Sequence, residues 1–553
     1  MNNQLIENEI IVPSYTHYGG YSGFQDYGII GTKIKNKLVE HWKELFLNDD
    51  ILIINEIECP TIVPECILKA SGHVDKFYDY IIIYNNKTFR ADHLVKEYAK
   101  TNNITIDVNT MTKLELEKFI NDNKIFDANI QIDELNLMYK LNDNISYLRP
   151  EIAQTIFCNY DRFRKFFKKD SNFGIAQIGK SYRREISPQR FTRMREFTQA
   201  EIEYFFDPYE NQDHLVNNIL DKNIPILSAT MQQQMDKHSL MQIREIIDND
   251  IIKNKILLYF LYKISLFTLS MNIPSECMRF RQHQNTEMAH YASECWDLEI
   301  FVDNDWLECV GCANRGCYDL KTHSGNKNNC LIGKRKLKIP VYMEQYKINL
   351  DKKRAGNYYE SSLTILNKYL SNLDKEEILK IKINGSDFDV NVDGQTYTII
   401  FEMLNFVEKK ILQDCENYYP HVIEPSFGID RLMYSIMYHN YAIKINKETG
   451  KEQFILKLPN VLSPYDFALF SLQNDQNLLN KTGEIHNYLK KQKYDVLTDN
   501  STASLGSKYT RADKIGITYS ITIDYTTLSD NTVTIRNIVD CSQKRILFTD
   551  IKK

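Results

Sequence analysis

The chain has 553 residues, more than one hydrophobic core accommodates, so two to four domains are expected. Its 43% hydrophobic and 25% charged residues are typical of a folded protein, and its net charge of −5 excludes a uniformly basic nucleic-acid binder. Eleven scattered cysteines argue against a disulfide framework. No signal pattern opens the chain, and the most apolar run, residues 256–273, contains Lys263, which favours a buried helix over a membrane span. We therefore expect a cytoplasmic protein without membrane association.

The first third of the chain is predicted to mix helices and strands around one insertion. Apolar side chains recur at helical spacing, which predicts an amphipathic helix over residues 30–47 with one stripe formed by Ile30, Ile34, Leu38, Trp42 and Leu45. The other elements predicted here are a strand at 51–59, a polar insertion at 87–131, a strand at 137–148 and a helix at 149–167 that starts near Pro150.

The most informative segment is a strand–loop–strand pattern whose alternating stretches are residues 174–186 and 194–206. It places five arginines within thirteen residues: Arg183, Arg184, Arg190, Arg193 and Arg195. From residue 162 to 195 there are eleven basic and two acidic residues, a local net charge of +9. Solvated charge runs are usually mixed in sign. Several guanidiniums on one loop are typical of a polyphosphate site, because arginine makes bidentate contacts and stays charged.

The second half of the chain is predicted to alternate helical, strand and inserted segments. In chain order we predict a long helical segment at 211–270, strands around 296–309, a second insertion at 334–417, a strand at 421–427, a helix at 429–440 and a small α/β domain after a polar linker near 446–453.

The predicted strand before Gly428 carries Glu424 and Ser426 to its end, where a helix begins. A helix start favours an anion through its free N–H groups and dipole, and Arg431 lies within the first turn. An incidental arginine at a helix start is the alternative interpretation of this motif taken alone.

Three further motifs are weaker. Arg149 and Glu151 sit at a strand-to-helix junction, where a helix-start ion pair is the alternative. Basic and aromatic residues from Arg279 to Tyr291 suit a nucleic-acid end or, as the alternative, a solvated turn. A zinc half-site is disfavoured because a single CxxC pair is present. Its cysteines would be Cys309, Cys312 and Cys317, with Cys295, His323 or Cys330 as the fourth ligand.

These segments together resemble class II aminoacyl-tRNA synthetases and, within them, the dimeric glycyl-tRNA synthetases of the eukaryotic and archaeal type. The resemblance rests on GGYSGFQDYGIIG, VPECILKASGHVDKF, YLRPEIAQ, QIGKSYRREISP, REFTQAEIEYFFDP, RFRQH with EMAHYASECWDLE, VGCANRGCYDL and HVIEPSFGIDRLMY. The run SLGSKYTRADKIGITYSITIDY is similar to that family's anticodon-binding domain. Similarity covers nearly the whole chain except the two insertions and part of the tail.

The resemblance implies an α+β fold, in which a class II aminoacyl-tRNA synthetase catalytic domain of six to seven antiparallel strands precedes a C-terminal α/β anticodon-binding domain. It also implies a homodimer. The catalytic domain would comprise residues 1–86, 132–333 and 418–445, interrupted by insertions at 87–131 and 334–417, and the anticodon-binding domain would span 451–553.

The resemblance also implies the substrates ATP, glycine and glycine tRNA, with Mg²⁺. The ATP residues would be Arg183, Arg184, Glu185, Arg190, Arg193, Arg195, Phe197, Glu308 and Arg431. Among these, Arg183, Arg431 and Glu308 would be catalytic, Glu308 would help to hold Mg²⁺, and either Arg193 or Arg190 would meet the γ-phosphate. The glycine residues would be Arg149, Glu151, Glu201, Arg315, Glu424 and Ser426.

Two other functions fit parts of this pattern. One is a catalytically inactive, synthetase-like nucleic-acid-binding protein, and the other is a class II synthetase for a different amino acid. The joint presence of Arg183, Glu201 and Arg431 disfavours the inactive nucleic-acid-binding protein, because a protein that has lost catalysis does not need to retain them. The pair of Glu201 and Glu424 disfavours the second.

Overall fold

A computed structural model describes residues 1–104, 106, 108, 111–288, 292–325, 331–392, 394–445, 450 and 452–552. The chain divides into two compact units. The larger comprises Met1–Leu331 with Tyr419–Lys553, and the smaller is Ile332–Tyr418. Within the described ranges, no helix is both long enough and apolar enough to cross a membrane.

A nine-stranded sheet organises the larger unit. In chain order its strands are β1 (Ile54–Ile57), β2 (Phe173–Tyr182), β3 (Glu196–Phe206), β4 (Asn223–Leu227), β5 (Ser239–Gln242), β6 (Met278–Gln282), β7 (Glu294–Val302), β8 (Asp305–Gly316) and β9 (His421–Gly428). Across the sheet the order is β5-β4-β6-β7-β8-β9-β3-β2-β1. The strands from β6 to β2 pair antiparallel, whereas β4 joins β6 and β1 joins β2 in parallel. Six contiguous antiparallel strands therefore match the expected number, and three further strands extend the sheet at its edges.

The structure corrects two helix predictions and one strand prediction, since within residues 137–148 only Ser146–Leu148 forms a strand. Residues 211–270 are not one helical segment, because they contain β4 and β5 as well as the helices Ala229–Gln233, Ile243–Asp248 and Lys255–Ser270. Short apolar runs such as β4 do not distinguish strand from helix by periodicity, and here β6 supplies the pairing partner. The helix predicted over 149–167 is two short helices, Gln154–Phe157 and Tyr160–Phe167. Its first residues are not helical, since the Ile152 amide donates to the Glu201 carboxylate instead.

Three long helices, together with shorter ones, pack in the main core of the larger unit: α1 (Ile29–Leu47), α2 (Lys255–Ser270) and α3 (Ile429–Asn440). The buried stripe of α1 follows the predicted spacing, with Phe46 rather than Leu45 completing it. The Phe46 ring lies 4.9 Å from the Phe427 ring of β9. Helix α2 is buried on most sides, which accounts for its continuous apolar sequence.

The rest of the larger unit surrounds the sheet. Its additional helices are Asn2–Glu7, Glu65–Ala70, His73–Lys76, Ala91–Thr101, Lys113–Asp122 and Tyr318–Ser324. Its additional strands before the C-terminal region are Ile11–Pro13, Gln25–Tyr27, Ile62–Pro64, Tyr78–Tyr84, Lys87–Arg90, Asp133–Asn136, Ser146–Leu148, Tyr441–Ile445 and Glu452–Leu456. The segment predicted as a polar insertion at 87–131 contributes to a small apolar core. Ile82 and Ile132, which lie just outside the segment, complete this core.

The C-terminal region forms a separate five-stranded sheet. In sheet order its strands are Val496–Asp499, Phe467–Ser471, Tyr519–Ile523, Thr532–Asn537 and Gln543–Leu547. Its helices are Gln476–Lys491, Leu505–Lys514 and Tyr525–Asp530. The first three strands pair in parallel and the last two add antiparallel, and an apolar core lies beneath the first helix.

The smaller unit has its own apolar core. Its long strands Gly333–Leu350 and Leu404–Tyr418 pair antiparallel, and a second hairpin joins Phe388–Val392 to Gln395–Ile399. Its helices are Lys352–Tyr359, Leu363–Leu370 and Lys375–Asn384.

We expect Phe46→Ala to lower the free energy of unfolding by about 3–5 kcal/mol, because it leaves a cavity between α1 and β9. Ile29→Ala is the matched control on the same helix, since Ile29 is 70% exposed and should change stability by less than about 0.5 kcal/mol. Urea unfolding followed by circular dichroism measures both. Equal effects of the two variants would contradict this packing.

Candidate active site

A cavity of about 270 Å³ opens where β3, β8 and β9 lie side by side. Side chains on one face of a strand recur at every second residue, so Gln199 and Glu201 of β3 both reach it. Pairing places Glu201 opposite Ser426 and Ala313 opposite Glu424. Three strands distant in sequence thus deliver a compact polar row to one place.

Ten of the residues predicted from the sequence line this cavity: Glu151, Arg183, Glu185, Arg193, Phe197, Glu201, Glu308, Glu424, Ser426 and Arg431. The other five lie outside its lining: Arg149, Arg184, Arg190, Arg195 and Arg315.

The floor of the cavity is acidic. Glu201 and Glu424 line it, whereas Glu203 does not; all three are buried, and each has a carboxylate oxygen within 4.8 Å of the others. Glu201 accepts hydrogen bonds from Ser426 Oγ at 2.6 Å and from Gln199 Nε2 at 2.8 Å. Burial, and then the charge of Glu424, raise the pKa of Glu201 to about 8. Burial likewise raises the pKa of Glu424 to about 7, against the opposing effect of Arg315.

Glu203 was not predicted as a site residue. It is fully buried, and neither of its carboxyl oxygens has a hydrogen-bond partner among the described residues. Burial, followed by the charge of Glu424, raises its pKa well above the ordinary value. The sequence signal was its place two residues after Glu201 in a strand, which puts both carboxyls on one face.

Arg315 lies behind the acidic floor rather than in the cavity. Its guanidinium is buried, donates to both Asp319 oxygens at 2.7 and 2.8 Å, and donates to Glu424 Oε2 at 2.8 Å. Glu151 lines the cavity, with His73 Nε2 at 3.2 Å from one oxygen. Although burial opposes ionisation, the charge and hydrogen bond of His73 lower the pKa of Glu151.

Arg149 supports the backbone instead of lining the cavity. It donates to the carbonyl oxygens of Lys180 at 2.8 Å and of Cys59 at 3.1 Å. A side chain at Gly179 would bring its Cβ to 2.2 Å from Arg149 Nη2, so the close approach of this guanidinium requires glycine.

The five arginines of the arginine loop, between residues 183 and 195, do not all face the cavity. Arg183 donates to the Pro150 carbonyl at 3.1 Å and lies 5.3 Å from the Phe197 ring centroid. Arg193 also lines the cavity, whereas Arg190 is exposed. The structure therefore brings one of the two γ-phosphate candidates, Arg193, to the cavity.

The remaining two loop arginines point elsewhere. Arg184 lines a separate shallow cavity with Lys140 and Tyr147. The Arg195 side chain donates to the carbonyl of Glu185 at 3.3 Å.

Arg431 joins the start of α3 to the arginine loop. It donates to the carbonyls of Thr192 at 2.9 Å and Glu308 at 2.8 Å. Its Nη1 is also 3.3 Å from the Glu308 carboxylate, which is 56% exposed. The charge of Arg431 lowers the pKa of Glu308 and keeps that carboxylate ionised.

A buried network beside Arg431 was also missed. Asp430 accepts from the Thr198 amide at 2.6 Å, the Tyr27 hydroxyl at 2.5 Å and Lys35 Nζ at 3.2 Å. It ties α3, β3 and α1 together at the cavity, whose lining includes Asp430. An acidic residue in the first turn of a helix was the available signal.

The structure also places the residues of two weaker sequence motifs. Cys309 and Cys312 are buried within β8, and no metal-ligand cluster among the described residues includes them. Arg279 and Arg281 both donate to Glu299 of β7, so neither forms the solvated turn. The candidate residues Cys330, His290 and Tyr291 lie outside the described residues.

An anticodon-binding domain family matches residues 466–553. The glycine–tRNA ligase of Methanocaldococcus jannaschii is 35% identical over 97% of this chain and 95% of its own. This chain belongs to the glycine–tRNA ligase family. A second such ligase, from Saccharomyces cerevisiae, is 33% identical over 98% of this chain and 92% of its own, and that of Drosophila melanogaster is 32% identical over 96% and 73%. The resemblance to class II glycyl-tRNA synthetases is therefore confirmed.

The fold of this chain also matches that of a solved enzyme. Prolyl-tRNA synthetase of Giardia lamblia, solved with prolyl-adenylate, superposes with a TM-score of 0.51 over 100% of this chain and 75% of its own, at 12% identity. At that identity the match bears on fold alone. The predicted α+β class with a C-terminal anticodon-binding domain is confirmed.

We expect Glu203→Gln to become progressively more stable relative to the wild type as the pH rises above 4.5. The raised pKa means that the folded wild type must retain a proton that the unfolded chain releases, so its stability is lost as the pH approaches the folded pKa. The difference should grow by up to about 1.4 kcal/mol per pH unit.

Thermal unfolding of both proteins between pH 5 and pH 8 measures this difference. Glu196→Gln, a half-exposed carboxyl on the same strand, is the control and should show no comparable trend. A Glu203→Gln curve parallel to that of the wild type would contradict a neutral Glu203.

Proposed function

We propose that this cavity joins glycine to ATP, forming glycyl-adenylate and pyrophosphate, and that the glycyl group then passes to the terminal ribose of glycine tRNA with release of AMP. The observation that carries the proposal is the buried acidic floor next to an arginine-rich wall. One side suits a small ammonium group, and the other suits a polyphosphate.

Glycine has no side chain to recognise, so its pocket must recognise its ammonium group and exclude larger amino acids. Glu201 and Glu424 supply negative charge, and Ser426 is hydrogen-bonded to Glu201. The pKa values of Glu201 and Glu424 are raised to about 8 and about 7. A bound ammonium group would lower both pKa values and so favour the charged carboxylates. Arg315 acts through Glu424, because it holds that carboxylate in place without lining the cavity.

On the ATP side, Arg183 is proposed to neutralise the α-phosphate while Phe197 stacks on adenine. Glu185 would accept from the adenine amino group, and Arg193 and Arg431 would meet the γ-phosphate. No general base is required, since the glycine carboxylate is already the nucleophile. In-line positioning and charge neutralisation therefore carry the first step.

The proposal includes Mg²⁺ at Glu308. This carboxylate is half-exposed at the cavity and ionised, which fits the oxygen ligands that Mg²⁺ prefers. When bound, the ion would offset phosphate charge.

The match of residues 466–553 to an anticodon-binding domain family supports a tRNA partner, and the membership of the chain in the glycine–tRNA ligase family makes glycine tRNA the one we propose. We further propose a homodimer in the cytoplasm. The inactive, nucleic-acid-binding alternative is not favoured, because Arg183, Glu201 and Arg431 all reach one cavity.

The deciding experiment is exchange of labelled pyrophosphate into ATP in the presence of single amino acids. Glycine should support exchange, whereas alanine and serine should not, because their side chains need room beside buried carboxylates. Absence of exchange with glycine, or equal exchange with alanine, would overturn the proposed function.

We expect Arg183→Ala to lower the rate of glycine-dependent exchange by at least about 100-fold, since it removes a positive charge at the reacting phosphate. Arg184→Ala is the matched control, because the adjacent guanidinium lies outside this cavity. It should retain exchange activity within about threefold, as a surface change away from the reacting groups. Equal losses in the two variants would show that Arg183 has no special role.

A further inference from the structure

His283, Cys295 and Asp297 form a cluster to which the proposed reaction assigns no role. One ligand atom from each lies within 4.8 Å of the other two. The backbone holds them there, because the His283 amide donates to the Cys295 carbonyl at 2.9 Å. Asp297 follows Cys295 by two residues on β7, so both side chains lie on one face of the strand.

The histidine ring of this cluster is oriented and incompletely bonded. Its Nε2 lies 2.6 Å from Asp297 Oδ2, which fixes the plane of the ring. Its Nδ1 is buried without a hydrogen-bond partner among the described residues. A cation bound between Nε2 and the Asp297 carboxylate would replace the hydrogen bond between them, and imidazole and carboxylate are both common metal ligands.

We propose that the His283–Cys295–Asp297 cluster binds a zinc ion. Imidazole, thiolate and carboxylate together suit Zn²⁺, whereas Mg²⁺ selects oxygen ligands, so this site is distinct from the one proposed at Glu308. Tetrahedral zinc ligands lie about 3.3–3.8 Å apart, so the side chains need to close by no more than about 1.5 Å. On binding, the Cys295 sulfur forms a bond to zinc and its thiol proton passes to solvent.

The position of the cluster means that a bound zinc ion would affect the proposed active site. Cys295 and His283 line the same cavity as Glu308, Arg431 and Ser426. Zinc held there would occupy space and add positive charge where the substrates are proposed to bind, and would therefore inhibit the enzyme. This consequence, unlike the binding itself, rests on the proposed function.

Cobalt(II) tests the binding directly, because it replaces zinc and a thiolate ligand gives a near-ultraviolet charge-transfer band. The full-length wild type should show this band, and added zinc should abolish it. Cys277→Ser is the matched control, a half-buried thiol outside the cluster, and should retain the band. Cys295→Ser should lose it, and Asp297→Asn should weaken cobalt affinity about 10–100-fold.

A band that survives in Cys295→Ser, or that never appears in the wild type, would overturn the zinc site. Circular dichroism of each variant excludes loss of the fold as the cause. Because no amino acid or ATP is needed, this result is independent of the proposed reaction.

Inhibition is measured separately, by pyrophosphate exchange in increasing zinc, with each protein normalised to its own rate without zinc. The concentration of zinc that halves the rate should rise at least about tenfold in Cys295→Ser and stay unchanged in Cys277→Ser. Equal zinc sensitivity in both variants would overturn the inhibitory role. A wild type without exchange activity would instead count against the proposed function.

Discussion

The site depends on the burial of three carboxyl groups close together. Glu201, Glu203 and Glu424 are all buried, and isolated buried charge is costly. The fold meets that cost in two ways: protons stay on carboxyls whose pKa values are raised, and the buried guanidinium of Arg315 bonds to Glu424. A small cation entering the cavity would complete this balance, which is why the acidic floor points to an ammonium group.

The opposite wall of the cavity is positively charged. Arg183, Arg193 and Arg431 place positive charge at the cavity, and Arg431 is bonded to the backbone of the arginine loop. Asp430, on the helix that carries Arg431, accepts hydrogen bonds from Thr198 on the strand that carries Glu201, from Lys35 of α1 and from Tyr27. The two halves of the cavity are therefore held by one network rather than by separate supports.

Much of this architecture could be predicted from the sequence, since it depends on local chemistry. The spacing along α1, the strand that breaks at Gly428 and the concentration of arginines near Arg183 are all short-range patterns. The residues at 211–270 could not be assigned the same way, because a short apolar strand becomes a strand only when another strand is there to pair with it. The functional division of the chain into domains stays a prediction.

The sequence by itself determined the family, the fold class and the residue types that meet at the cavity, because the diagnostic motifs are contiguous. Only the tertiary structure decided which members face it. Arg149 and Arg315 turn to carbonyl and carboxylate partners, Arg193 rather than Arg190 reaches the cavity, and His283 joins Cys295. The reason is physical: the direction of a side chain depends on hydrogen-bond partners supplied by strands far apart in the chain, and a sequence motif does not contain them.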